Sequence, residues 1–115
     1  IKKISALPRP PELCQEFLST ESCPVSLQDV SCLRSLNKEF EGCKITPVDI
    51  MLDRSPFVIG RDSTSNVDAC LNGPLDEKMV SRFHCMFRLQ KHQRSGESAW
   101  ELYDLDSING SYVNQ

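Results

Sequence analysis

The chain has 115 residues, 39% hydrophobic and 25% charged, which is room for one domain with a core of its own. No apolar run approaches the roughly 18 residues of a membrane span, and no signal-peptide h-region stands in the sequence. Net charge is −3, with seven basic against eight acidic residues in positions 1–55 and six against eight in 56–115. Neither half carries the basic excess that nucleic-acid binding needs, so neither a membrane nor a nucleic acid is an expected partner.

From the N-terminus, Pro8-Arg9-Pro10-Pro11 reads as an extended linker. Its Pro8-x-x-Pro11 spacing also fits the minimal polyproline ligand pattern, a match that arises often by chance. Apolar residues then recur at Leu27, Val30, Leu33, Leu36 and Phe40, offsets of three and four that predict an amphipathic helix over 27–40. Ser26 suits its N-cap, Asp29 its positive end, and Gly42 its stop. The apolar stripe is expected to pack on the main domain.

Six cysteines, Cys14, Cys23, Cys32, Cys43, Cys70 and Cys85, are the compositional oddity. Reduced, mostly buried thiols are the expected state, as in a cytosolic or nuclear protein. Three disulfides are an alternative. Zinc is another, although the C-x8-C-x8-C-x10-C spacing has no C-x2-C pair and no histidine nearby.

After Gly42 the pattern turns to short strands. Ile45 to Leu52 is one, made irregular or edge-like by Pro47. Phe57-Val58-Ile59 leads into Gly60-Arg61, and Val67 to Leu71 precedes the turn-prone Asn72-Gly73-Pro74. Asp76-Glu77-Lys78 reads as part of a solvated charged loop. His84 to Gln90 alternates, a polar loop fills Lys91 to Ser98, and Trp100, Leu102 and Leu105 mark the next strand. Ser111-Tyr112-Val113 begins another. Strands at this spacing, broken by turns, predict an all-β antiparallel sandwich.

Recognising a phosphate takes a guanidinium, hydroxyl donors and backbone amides in tight loops. Three predicted loops supply them. Gly60-Arg61 projects a guanidinium from a strand end. Ser81-Arg82 offers a hydroxyl, an amide and a second cation. Asn109-Gly110 is a hairpin-type turn whose side-chain amide both donates and accepts.

Gly60-Arg61, then Ser81-Arg82-Phe83-His84, then Asn109-Gly110 followed by Val113-Asn114 resembles the signature of the forkhead-associated (FHA) domain family in order and spacing. The resemblance covers about residues 43–115 and leaves 1–42 as an N-terminal extension. It implies a β-sandwich that reads phosphothreonine in a peptide laid across its apical loops. Arg61 would contact the phosphate or the peptide backbone beside it. Ser81 would give its hydroxyl to a phosphate oxygen, Arg82 its backbone amide and its charge. Asn109 would hydrogen-bond the peptide main chain. Gly60, His84 and Gly110 would support the site, with His84 tying the Ser81 loop to its neighbours. A threonine-phosphorylated protein or peptide is thus the implied partner, with no cofactor or metal. A nuclear location is implied by association, the cytoplasm being the other compartment.

Two departures from the family stand out. Ile108 occupies a position where many members carry serine or threonine, which removes one hydroxyl. Asp76 and Glu77 place acidic groups shortly before the phosphate loop. Both leave open an alternative, an FHA-like structural or dimerisation module with weak or no phosphate binding. Catalysis is not expected. Ser81, His84 and Asp104 or Asp106 have the residue types of a hydrolase triad, beside Cys85, but Ser81 and His84 straddle a strand start with no nucleophile elbow. The start at Ile1 and the end at Gln115 suggest an excised piece. The strands that close the sheet in this family would then be missing, leaving an open edge unless residues 1–42 supply the cover.

Overall fold

The computed structural model describes residues 2–4, 23–35, 39–40, 42–44, 48–62, 67–73 and 76–113. Pro8–Pro11, Cys14 and Asn114 lie outside them. The strands in chain order are β1 (Lys2–Lys3), β2 (Cys23–Pro24), β3 (Ser31–Arg34), β4 (Glu39–Phe40), β5 (Cys43–Lys44) and β6 (Asp49–Leu52). They continue with β7 (Arg54–Ser55), β8 (Phe57–Gly60), β9 (Ala69–Cys70), β10 (Cys85–Lys91), β11 (Ser98–Asp104) and β12 (Tyr112–Val113). One short helix, α1 (Asp76–Met79), stands between β9 and β10. The described chain is therefore strand-rich with almost no helix, an all-β fold.

Its centre is a four-stranded sheet in the order β11-β10-β8-β9. All four residues of β8 are buried, because both faces of this strand are covered. Phe57 and Ile59 point one way and meet Leu52, Leu33 and Ile50 from the antiparallel β3–β6 pair. Val58 points the other way, onto Met86 and Leu105. That alternation follows from the period of two along a strand. Across β10 and β11, Arg88 donates to the Tyr103 hydroxyl at 2.9 Å, and that hydroxyl donates to Glu101 at 2.6 Å. The expected purely antiparallel sheet is corrected at one pair, because β8 and β9 run parallel, with Ile59 opposite Ala69.

The helix expected over 27–40 is absent from the described residues of that span, 27–35 and 39–40. Ser26 to Asp29 closes a turn, with Asp29 N donating to Ser26 O at 2.9 Å and Ser26 Oγ to Asp29 Oδ2 at 3.0 Å. Strand β3 follows at once, and Leu33 joins the core while Leu27 stays 93% exposed. Pairing with β6 and burial of Leu33 outweigh a spacing pattern carried by weak helix formers such as Val30, Ser31 and Cys32. Gly42, read as a helix stop, has φ 79° in the turn between β4 and β5. The strand expected over Ile45 to Leu52 is described from Asp49 onward, residues 45–47 being outside the described set.

Residues of the N-terminal third take part in the fold beyond β3. Trp100 Nε1 on β11 donates to Asp29 O at 3.0 Å. At the other end of the molecule β1 pairs with β12, and Ile4 N donates to Ser111 O at 2.8 Å. The last described strand is thus covered by the first. Among the described residues β11 is paired on one side only, by β10.

The cysteines depart from the expected burial. Among the cysteines whose side chains are described, Cys23, Cys32 and Cys70 are free and exposed, and Cys85 is partly buried. Burial, followed by the nearby Asp104 carboxylate, pushes the Cys85 thiol from 9.0 up to about 12. Thiolate is the reactive form, so at pH 8 Cys85 holds about a thousandfold less of it than an ordinary thiol. Iodoacetamide at that pH is expected to alkylate Cys23, Cys32 and Cys70 while Cys85 stays unmodified until denaturant is added. Mass spectrometry of the digested protein reads the result, and rapid native labelling of Cys85 would contradict it.

Candidate functional site

The three motif loops meet at one end of the sheet. The first contact is steric. Gly60 ends β8 so close to the next loop that a Cβ there would overlap the Arg82 carbonyl oxygen and lie 2.8 Å from its carbon. Only hydrogen fits that space. The close approach lets Arg61 N donate to Ser81 O at 3.0 Å, Asp62 N to Arg82 O at 3.1 Å, and His84 N to Ile59 O at 2.9 Å.

His84 binds the second loop to the third. Its Nδ1 accepts from Ser81 N at 3.1 Å, so the ring proton resides on Nε2, which donates to Gly110 O at 2.9 Å. Both ring nitrogens are engaged by backbone. Ser81 Oγ does not face the imidazole. It accepts from Ile108 N at 2.9 Å, across to the third loop. The hydroxyl–imidazole contact of a hydrolase triad is therefore replaced by two loop-to-loop ties.

Asp104, the other triad candidate, holds the third loop. It is 2% exposed, and its Oδ1 accepts from Ser107 Oγ at 2.6 Å and Ser111 Oγ at 2.8 Å. Its Oδ2 accepts from Ser107 N at 3.2 Å. The loop turns through two left-handed residues, Asp106 at φ 57° and Gly110 at φ 81°. A Cβ on Gly110 would also lie 2.9 Å from Lys3 Cε and 3.3 Å from the Tyr112 ring. Neither the Asp104–Ser107–Ser111 network nor this neighbourhood was assigned a role from the sequence. The serines flanking Asn109-Gly110 were the available signal.

The predicted contact residues arrive together. Arg61 is half-buried, and its Nε donates to Val80 O at 3.0 Å. Asn109 is exposed, and its Nδ2 donates to Met79 O at 3.0 Å. Arg82 is exposed, and its guanidinium comes within 3.6 Å of the buried Asp62 carboxylate. Ile108 presents its side chain to solvent, 91% exposed. The charged stretch at 76–79, expected as a solvated loop, forms α1 instead. Asp76 Oδ2 accepts from Gly73 N at 2.8 Å and starts the turn locally.

The all-β scaffold thus gathers two arginines, a serine hydroxyl and an exposed asparagine amide onto adjoining loops. The chain belongs to the FHA domain family, whose model matches residues 57–115, from the first residue of β8 onward. FHA domains are generally phosphopeptide-binding modules of protein–protein interaction, not enzymes. Comparison with curated proteins and with solved structures finds no significant match. Among the described residues no helix is long and apolar enough to cross a membrane.

Proposed function

We propose that the chain recognises threonine-phosphorylated peptides across its apical loops, in a β-sandwich whose second layer includes the β3–β6 pair. The observation that carries this reading is the convergence of Arg61, Ser81 and Asn109. Residues from three separate motifs are cross-linked through Ser81 O, Ser81 Oγ and the Met79–Val80 carbonyls.

The roles follow from the remaining chemistry of each group. Arg61 is tethered at Nε, and the Nη groups beyond it suit bidentate pairing with phosphate oxygens. Ser81 Oγ already accepts from Ile108 N, which directs its own proton to an incoming acceptor. Arg82 adds positive charge at the same rim, moderated by Asp62. Asn109 carries a donor and an acceptor for a peptide main chain. The ligand phosphate supplies up to about two negative charges and three acceptor oxygens.

Titration of one peptide set in phosphothreonine, phosphoserine and unmodified forms tests the reading. Selective binding of the phosphothreonine set is expected, weakening as salt screens the charge pairing. Equal binding of all three forms, or of none, would favour a structural or dimerisation module.

A further inference from the structure

Residues 72–73 and 76–80, which in the sequence look only like an acidic intrusion before the phosphate loop, are built into the site. Asp76 Oδ2 accepts from Gly73 N at 2.8 Å, Asp76 N donates to Gly73 O at 3.0 Å, and Val80 N donates to Asp76 O at 2.8 Å. These bonds close one turn. Its last two carbonyls then serve different motifs: Met79 O takes the Asn109 side chain and Val80 O takes the Arg61 side chain, each at 3.0 Å.

We propose that this turn is a clamp that pre-positions Arg61 and Asn109 for peptide recognition, with Asp76 as the positioning residue that shapes it. The proposal rests on the phosphopeptide reading above. Arginine has many rotamers, and ordering it at the moment of binding weakens affinity. Tethering Nε fixes the plane of the guanidinium before the ligand arrives. Donation from Nδ2 to Met79 O fixes which end of the Asn109 amide donates and which accepts. Asp76 acts through the turn, because its carboxylate accepts from Gly73 N.

Asp76→Ala and Asp76→Asn separate this role from a charge effect, since asparagine keeps an acceptor oxygen for Gly73 N. Phosphothreonine-peptide affinity is expected to fall about five- to tenfold in Asp76→Ala, the effect of freeing one or two side chains, and to recover in Asp76→Asn. Asn109→Ala is expected to cost less affinity in the Asp76→Ala background than in the parent. In the unliganded protein the Arg61 Nε–H and Asn109 side-chain amide resonances should shift in Asp76→Ala and hold in Asp76→Asn. Tighter binding by both Asp76 variants would mean that Asp76 acts only as a charge, and would overturn the clamp. So would unchanged affinity in Asp76→Ala, or full additivity with Asn109→Ala. If Asp76→Ala fails to fold, the parent decides: an Arg61 Nε–H exchanging as fast as a solvent-exposed arginine overturns the proposal. If the parent binds no phosphopeptide the recognition reading fails, and the resonances alone then decide the clamp.

Discussion

Gly60→Ala is expected to destabilise the fold by about 3 kcal/mol, at the upper end of the overpacking range. The reason is space, not backbone freedom. An added methyl would collide with Arg82 O, and would lie 2.8 Å from Arg82 C and 3.0 Å from Phe83 Cα. All of these are backbone atoms, so no side-chain rotation relieves the overlap. Separating the two segments would stretch the Arg61–Ser81, Asp62–Arg82 and His84–Ile59 hydrogen bonds together. Urea unfolding of the variant against the parent measures the loss. A loss below about 1 kcal/mol would show that the loops part without strain, contrary to this packing. Because the displaced atoms belong to the Ser81 loop, peptide affinity should fall in the same variant.

Arg61→Ala is expected to weaken phosphothreonine-peptide binding by roughly 100-fold, the effect of losing a bidentate charge-assisted pair. Arg61→Lys should recover little of it, because an ammonium cannot reproduce the planar fork or the Nε tether to Val80 O. The stability of both variants should stay close to that of the parent. Arg61 is only half-buried, and its backbone donor to Ser81 O is kept. Calorimetric titration with thermal unfolding as a control checks both parts. Parent-like affinity in Arg61→Ala would remove Arg61 from the recognition site.

The strands of the central sheet were legible because their signal is local. Phe57-Val58-Ile59 and the alternation from His84 to Gln90 mark β8 and β10 within a residue or two. The motif loops were legible because glycine, arginine, serine and asparagine suit turns and anions, and because their order and spacing resemble the FHA signature. Segment 27–40 was misread because Leu27, Val30, Leu33 and Leu36 share a spacing that says nothing about available partners. Strand β6 was such a partner, and it drew Leu33 into the core. The exposed thiols were misread because burial was expected from residue type alone, whereas Cys32 takes the outward position on β3 beside the inward Leu33.

The support of the site was least legible. Asp104 reads in sequence as a catalytic candidate or a surface acid, yet it is buried and ties Ser107 and Ser111 to the base of the Asn109 loop. Asp76 reads as a solvated charge, yet it shapes the turn whose carbonyls hold Arg61 and Asn109. Main-chain carbonyls have no residue identity, so no pattern of side chains reveals which of them will accept.

By itself the sequence determined the all-β character, the order of the motif loops and the groups available to meet an anion, since these depend on residue chemistry and short-range backbone preference. Tertiary structure alone decided that residues 31–34 form a strand, that β1 covers β12, and that His84, Asp104 and α1 join three loops into one surface. Those outcomes depend on which distant segments meet, and on burial that satisfies their polar groups only once they have met.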